Sequence, residues 1–247
     1  MEIYFLGTNG WYDTNLGNTI SVLLDTERAY IIFDAGNGLY KLDNYIKEEK
    51  KPIFLLLSHF HLDHIVGLHI LNKFYFPQGI NIYGPTGVRR FISAIINTPY
   101  SAPIKKLKTK VKIEEFSNSL KLPVKICYRK VLHSTICYGY RLTAEGKNVA
   151  FCTDTGLCKN ILFLAKKADI LIAESSLLAG QENRKWPHLN PQLAALIAKK
   201  SKVGQLILVH FDASIYTKED EIKNAERVAQ KIFKNTKAAR DGFTIKI

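Results

Sequence analysis

The segment that most constrains this chain is Leu57-Ser58-His59-Phe60-His61-Leu62-Asp63-His64. Ile53 to Leu57 run into it without a polar residue, which reads as a buried strand ending at Ser58. Beyond it Ile65, Leu68 and Leu71 recur at helical spacing, so a helix is expected from about Asp63. Three histidines and a carboxylate therefore occupy the turn leaving a strand, where α/β proteins present ligand groups. His59 and His61 can reach one point beside such a turn, while Asp63 and His64 face a second. Imidazoles and a carboxylate packed this closely suit zinc, with iron or manganese as alternatives. A solvated loop rich in histidine would need neither this spacing nor the apolar strand before it.

A chain of 247 residues with 47% hydrophobic content can bury one large core or two small ones. Pro and Gly are not gathered into a linker and no internal repeat is evident, so a single domain over residues 1–247 is expected. No basic region followed by a long apolar run opens the sequence, and no apolar stretch approaches the ~18 residues of a membrane span. Cys127, Cys137, Cys152 and Cys158 show no C-x-x-C pairing and lie in or beside apolar segments. Free thiols in a reducing cytoplasm are the simplest account. The balance of 35 basic against 22 acidic residues, a net charge of +13, suits a polyanionic partner or substrate.

Strands are expected at Ile3 to Leu6, Ile20 to Leu24 and Ala29 to Phe33, the last delivering Asp34. Asp34 reads as a cap for a helix from Leu39 to Lys50. Ile80 to Tyr83 is a short strand, and Gly84-Pro85-Thr86 opens a helix to about Asn97. The lysines at 105, 106, 108, 110 and 112 read as a solvated strand edge. Three later segments repeat the strand-then-ligand pattern of His59. Val124 to Leu132 delivers His133, Val149 to Cys152 delivers Asp154, and Leu206 to Val209 delivers His210, while a further strand, Ile170 to Ala173, closes on Glu174. Asn190 caps a helix over Gln192 to Lys200 with Pro191 in its first turn. A helix from Glu219 to Phe233 and a strand from Phe243 to Ile247 complete the expectation.

His59-x-His61-x-Asp63-His64, with His133, Asp154 and His210 following in order, resembles the metallo-β-lactamase fold, in its subgroup that binds two metals. The resemblance implies an α/β protein built as a four-layer αββα sandwich. It implies two divalent metal ions, zinc first and manganese or iron as alternatives. His59, His61 and His133 would hold one metal, Asp63, His64 and His210 the other, with Asp154 between them, and Asp34, equally readable as a helix cap, would hold one of the histidines in place. Glu174, His188 and the Leu206-Ile207-Leu208-Val209-His210-Phe211 stretch resemble the ribonuclease Z branch, 22 positions separating His188 from the last ligand. There His188 would donate to the scissile phosphate or its leaving oxygen, steadied by Glu174. Asp63, His188 and Glu174 are thus the candidate catalytic residues. Only 20 residues lie between His133 and Asp154, which leaves no room for the arm by which many ribonuclease Z proteins grip tRNA. After His210 the chain reads Phe211-Asp212-Ala213-Ser214, with an acid near the site and no arginine.

These departures turn the expectation towards armless relatives, phosphodiesterases of nucleotides or small ribose diesters attacked by a metal-bridging hydroxide. The alternatives are a ribonuclease Z-type endonuclease of tRNA 3′ ends, a hydrolase of thioesters or lactones, and a nucleic-acid-binding module with structural metals. A phosphodiester or nucleic-acid substrate, no membrane partner, a cytoplasmic location and, from the resemblance, homodimers complete the reading.

Overall fold

A computed structural model describes residues 1–117, 122–183 and 185–247. Among these, seven strands make one sheet, in the spatial order Thr244–Lys246, Glu2–Gly7, Ser21–Asp25, Tyr30–Phe33, Ile53–Leu56, Ile80–Gly84, Val111–Glu115. Pairing is antiparallel up to Tyr30–Phe33 and parallel beyond it. A second sheet runs Thr236–Ala238, Gln205–Val209, Ile170–Glu174, Lys147–Cys152, Tyr138–Ala144, Lys125–Lys130. Its first four strands are parallel and its last two pair antiparallel.

Apolar side chains fill both faces of the central strands, and alternation sends successive residues into different layers. In Tyr30–Phe33, Ile31 and Phe33 point between the sheets, while Tyr30 and Ile32 join Leu39, Leu42, Leu68, Leu71 and Ile92 on the outer face. Phe33 stacks on Phe151 of the opposite sheet, with ring centroids 4.7 Å apart, which fixes the two sheets face to face. The outer face of the second sheet is covered by the helices Lys159–Ala165, Pro191–Ser201 and Glu219–Gln230. The result is the αββα sandwich that the sequence predicts.

Helices differ more from expectation than strands do. Leu39 to Lys50 is not an α-helix; a 3-10 helix over Asn37–Asn44 takes its place. Past Leu42 the apolar face ends in the charged run Lys47 to Lys51. The N–H groups of Lys47 and Glu48 both donate to the Tyr30 hydroxyl, 3.1 Å away, instead of to a helical ladder. With no face to bury, a helix there has little to hold it. After the histidine motif one α-helical turn, Leu62–Ile65, passes into a 3-10 helix over Val66–Lys73. Gly67 lets this turn lie against the Asp34-Ala35-Gly36 corner; a Cβ there would come within 2.2 Å of the Gly36 carbonyl oxygen. The expected helices near 86–97 and 219–233 shorten to Val88–Ile95 and Glu219–Gln230. Asn190 does cap its helix, its Oδ1 accepting from the Leu193 N–H at 2.9 Å, with Pro191 in the first turn. The five lysines from 105 to 112 are exposed on and before Val111–Glu115, the outer strand of its sheet, as expected of a solvated edge.

Candidate metal centre

The strands that end in polar residues all deliver them to one edge of the sandwich. Tyr30–Phe33 leads to Asp34, Ile53–Leu56 to Ser58 and His59, Lys147–Cys152 to Asp154, and Gln205–Val209 to His210. Ile170–Glu174 ends in Glu174 itself. Asp34, Asp154 and His210 adopt left-handed backbone, with φ of 57°, 53° and 54°, which turns each side chain out of its strand.

Two clusters result. His59, His61, His133 and Asp154 bring one ligand atom each to within 4.8 Å of the others. His133 Nε2 lies 3.2 Å from His61 Nδ1, and Asp154 Oδ2 lies 3.6 Å from His59 Nε2 and 3.7 Å from His133 Nε2. Asp63, His64 and His210 form the other cluster. Here His64 Nε2 and His210 Nε2 stand 3.1 Å apart, and Asp63 Oδ2 is 3.2 Å from His210 Nε2. Asp154 turns its other oxygen to this group, with Oδ1 3.1 Å from both His64 Nε2 and His210 Nε2. One carboxylate thus gives one oxygen to each cluster.

The donor chemistry fits metal ions. His59 Nε2 and His133 Nδ1 are buried with no hydrogen-bond partner among the described residues. Such atoms are costly to bury unless something absent from the chain satisfies them. Burial, with the neighbouring His64 charge, holds the His59 imidazole well below its ordinary pKa, and burial brings His133 down to about 4. Neutral imidazoles are the form that binds metal; burial pushes His64 and His210 the same way, but the facing carboxylates outweigh it and raise both, so these two would give up a proton to a metal. Burial alone would raise Asp154 and Asp63, but the facing His210 and His64 rings keep both carboxyls ionised.

Outer groups hold the rings in place. Asp34 Oδ2 pairs with His64 Nδ1 at 2.8 Å and accepts from the Ser58 hydroxyl at 2.8 Å. Ser58 Oγ in turn meets His59 Nδ1 at 2.9 Å, and Ser176 Oγ meets His210 Nδ1 at 2.9 Å. Gly10 has to be glycine, because a Cβ would stand 2.6 Å from His210 Cε1. Asp34 is the support and not the cap, since Gly36 precedes the 3-10 helix without any side-chain bond. Ser58, Ser176 and Gly10 carry no distinctive signal in the sequence.

His188 and Glu174 stand beside these clusters. Both Glu174 oxygens lie 2.9 Å from His188 Nδ1, and they also accept the Thr155 and Leu189 N–H groups. Burial opposes the charged ring, but the adjacent Glu174 carboxylate outweighs it and lifts His188 to about 9. His188 faces Asp154 and His210 closely enough for the three to form a ligand set of their own. A cleft of about 630 Å³ opens over the clusters, lined by Trp11, His61, Asp63, Asp154, Trp186, His188, His210 and Asp212. His69 lies outside it, exposed, with its Nδ1 turned to the Val66 carbonyl.

The chain is similar to several known proteins. Ribonuclease Z of Enterococcus faecalis is 29% identical over all of this chain and 97% of its own length. That alignment has 309 positions against 247 residues here, so 62 of them face gaps in this chain. Among solved structures, the metallo-β-lactamase-fold protein YhfI from Bacillus subtilis superposes with a TM-score of 0.81 at 24% identity, covering 99% of this chain and 98% of its own. The short form of human tRNase Z superposes with a TM-score of 0.77 at 21% identity, covering 100% of this chain and 99% of its own. The third of these, a diphosphatase from the PhnP family, has a TM-score of 0.75 at 18% identity. The family described as Beta-lactamase superfamily domain matches residues 29–211, the span that holds every member of both clusters. By strand order, by cluster and by this match, the chain belongs to the β-lactamase superfamily.

Proposed function

We propose that this chain is a metal-dependent phosphodiesterase that works with two divalent metals, zinc first, on a nucleotide or a small ribose phosphodiester. The observation that carries this reading is Asp154, one oxygen of which faces each cluster. His59, His61 and His133 would hold one metal, Asp63, His64 and His210 the other, with Asp154 shared. When bound there, two metals would supply a water of pKa lowered towards ~7 and positive charge for the attacking and leaving oxygens. The residues around them supply the rest. The Trp11 N–H donates to Asp63 Oδ2 at 2.9 Å, which holds that carboxylate towards His210. Glu174 takes His188 Nδ1 and so presents the other ring edge, bearing a proton, to the cleft. From there His188 can donate to a phosphate oxygen or to the leaving group.

Relatives named Ribonuclease Z support phosphodiester chemistry, as do solved neighbours named tRNase Z and diphosphatase. Asp212, which lines the cleft, opposes a second phosphate close to the scissile one and so favours a small diester. One observation favours the alternative, a ribonuclease acting on tRNA 3′ ends. No Asp or Glu occurs from His64 to Ile113, while eight Lys and Arg do, which suits a nucleic-acid backbone. Cleavage of precursor tRNA at a rate above that of small diesters would select it.

The whole chain acts as one domain in this reading, because both sheets supply the clusters. The four free cysteines favour a reducing compartment such as the cytoplasm, and no helix among the described residues is long and apolar enough to cross a membrane. The deciding experiment is hydrolysis of a chromogenic phosphodiester by protein loaded with zinc, manganese or iron. Asp154→Ala should abolish turnover. His188→Ala should keep its metals and lose about 10²–10⁴-fold in kcat. Parental turnover in His188→Ala would remove that residue from the mechanism, and no turnover with any of the three metals would reject the phosphodiesterase reading.

A further inference from the structure

The chain contains two tryptophans, and both line the metal cleft. Both are left open to solvent, Trp11 at 64% and Trp186 at 49% of full exposure. A large apolar side chain kept at a pocket mouth usually waits for a ligand surface, because exposing it in the free protein forgoes its burial energy. Each is also fixed to a different cluster. The backbone at Trp11, with φ of 71°, is anchored by its amide N–H, which donates to Asp63 Oδ2, and the indole meets the Tyr12 ring edge-on at 5.3 Å. Trp186 lies parallel to the His61 ring, at 9° with centroids 5.6 Å apart, and meets His133 edge-on. One face of that indole is covered by His61 and the remaining surface is open. The two aromatic walls therefore flank the place where the reacting phosphate would sit, one beside each metal position.

We propose that Trp11 and Trp186 are the stacking walls of a nucleobase subsite, so that the diester cut here carries a nucleoside. This rests on the phosphodiesterase reading of the site. A base offers a flat π-face to each wall, and stacking of this kind tolerates every base. An acyl chain would gain little from a platform held parallel to another ring. The +13 charge of the chain also favours a ligand that brings phosphate with it.

The same two residues make the test direct, since all tryptophan emission of the protein arises in this cleft. Metal-loaded protein is titrated with adenosine 5′-monophosphate and with ribose 5-phosphate while tryptophan fluorescence is followed. The nucleotide should quench the emission to saturation and bind about tenfold or more tighter than the base-free phosphate. Trp11→Ala and Trp186→Ala should each remove most of that advantage, and Trp186→Phe should restore it. The ratio of the two affinities cancels any disturbance of His61 and the metals, which a structural role for Trp186 would produce. Equal affinities in the parent, or Ala variants that keep the advantage, would overturn the proposal. A base advantage without any diester turnover would instead count against the phosphodiesterase reading, leaving the stacking walls in place.

Discussion

Asp34 uses both of its oxygens. Oδ1 accepts the Ser58 N–H at 2.7 Å, while Oδ2 takes the Ser58 hydroxyl and His64 Nδ1. The ring of His64 is thereby turned so that its Nε2 meets Asp154. Asp34→Ala should weaken metal binding at the Asp63, His64 and His210 cluster by about 10–100-fold, as measured by competition with a chelator. The cluster of His59, His61 and His133 should bind close to parentally; an equal loss at both would mean that Asp34 supports the fold and not the ring. At this scale the sequence was legible where residue chemistry is rare. Histidines and carboxylates that follow apolar strands stand out, because burying them without partners is expensive. Ser58 and Ser176 do not stand out, since serine follows strands for many reasons. Trp186 could be placed beside the site only once the loop carrying it was seen to fold over His61.

The hairpin between Tyr138–Ala144 and Lys147–Cys152 is closed by two residues, Glu145 and Gly146, with φ of 51° and 72°. Positive φ at both positions matches the twist of the strands. Glu145 is an uncommon choice there, and its carboxylate explains it. Oε2 accepts from the N-terminal amine at 2.7 Å and Oε1 from the Glu27 N–H at 2.8 Å, which ties the turn to the other sheet. Slight burial raises its pKa, but these two donors outweigh it and hold the carboxyl below the ordinary glutamate value. A folded-state pKa below the unfolded one adds stability above the unfolded value, and that stability is lost as pH falls through the folded value. Glu145→Gln should therefore cost about 0.2–1 kcal/mol at pH 7, and the gap should close below about pH 4, as read by denaturant titration. A gap that persists in acid would reject the electrostatic account. The sequence concealed this turn because Glu-Gly lacks the Asn-Gly or Asp-Gly signature. Strands were otherwise legible as short apolar runs, whereas helix ends depended on tertiary partners such as the Tyr30 hydroxyl.

Across the whole molecule, His59, His61, Asp63 and His64 follow a strand of one sheet, and His133, Asp154 and His210 follow strands of the other. Metal held between them would join the two sheets at one edge. Thermal unfolding should then be a single transition whose midpoint rises with free metal, by about 2.7 kcal/mol of added stability at a hundred times Kd. Chelation should lower the midpoint while far-UV circular dichroism keeps its folded form. Two separate transitions would contradict a single folding unit, and collapse on chelation would make the metals structural. The sandwich and the place of Asp154 between the clusters were expected from the family resemblance; the strand Thr236–Ala238, which has no apolar run, was not, and which Asp154 oxygen faces which cluster depends on the backbone after Cys152.

That backbone has a consequence for descent. Asp154 and His210 hold left-handed conformations that glycine would adopt at less cost. A duplicated copy freed from the need for turnover would gain robustness by drifting to glycine at these corners. Such a sibling, hardier and inert, would carry the loss of its chemistry first at the ends of its strands.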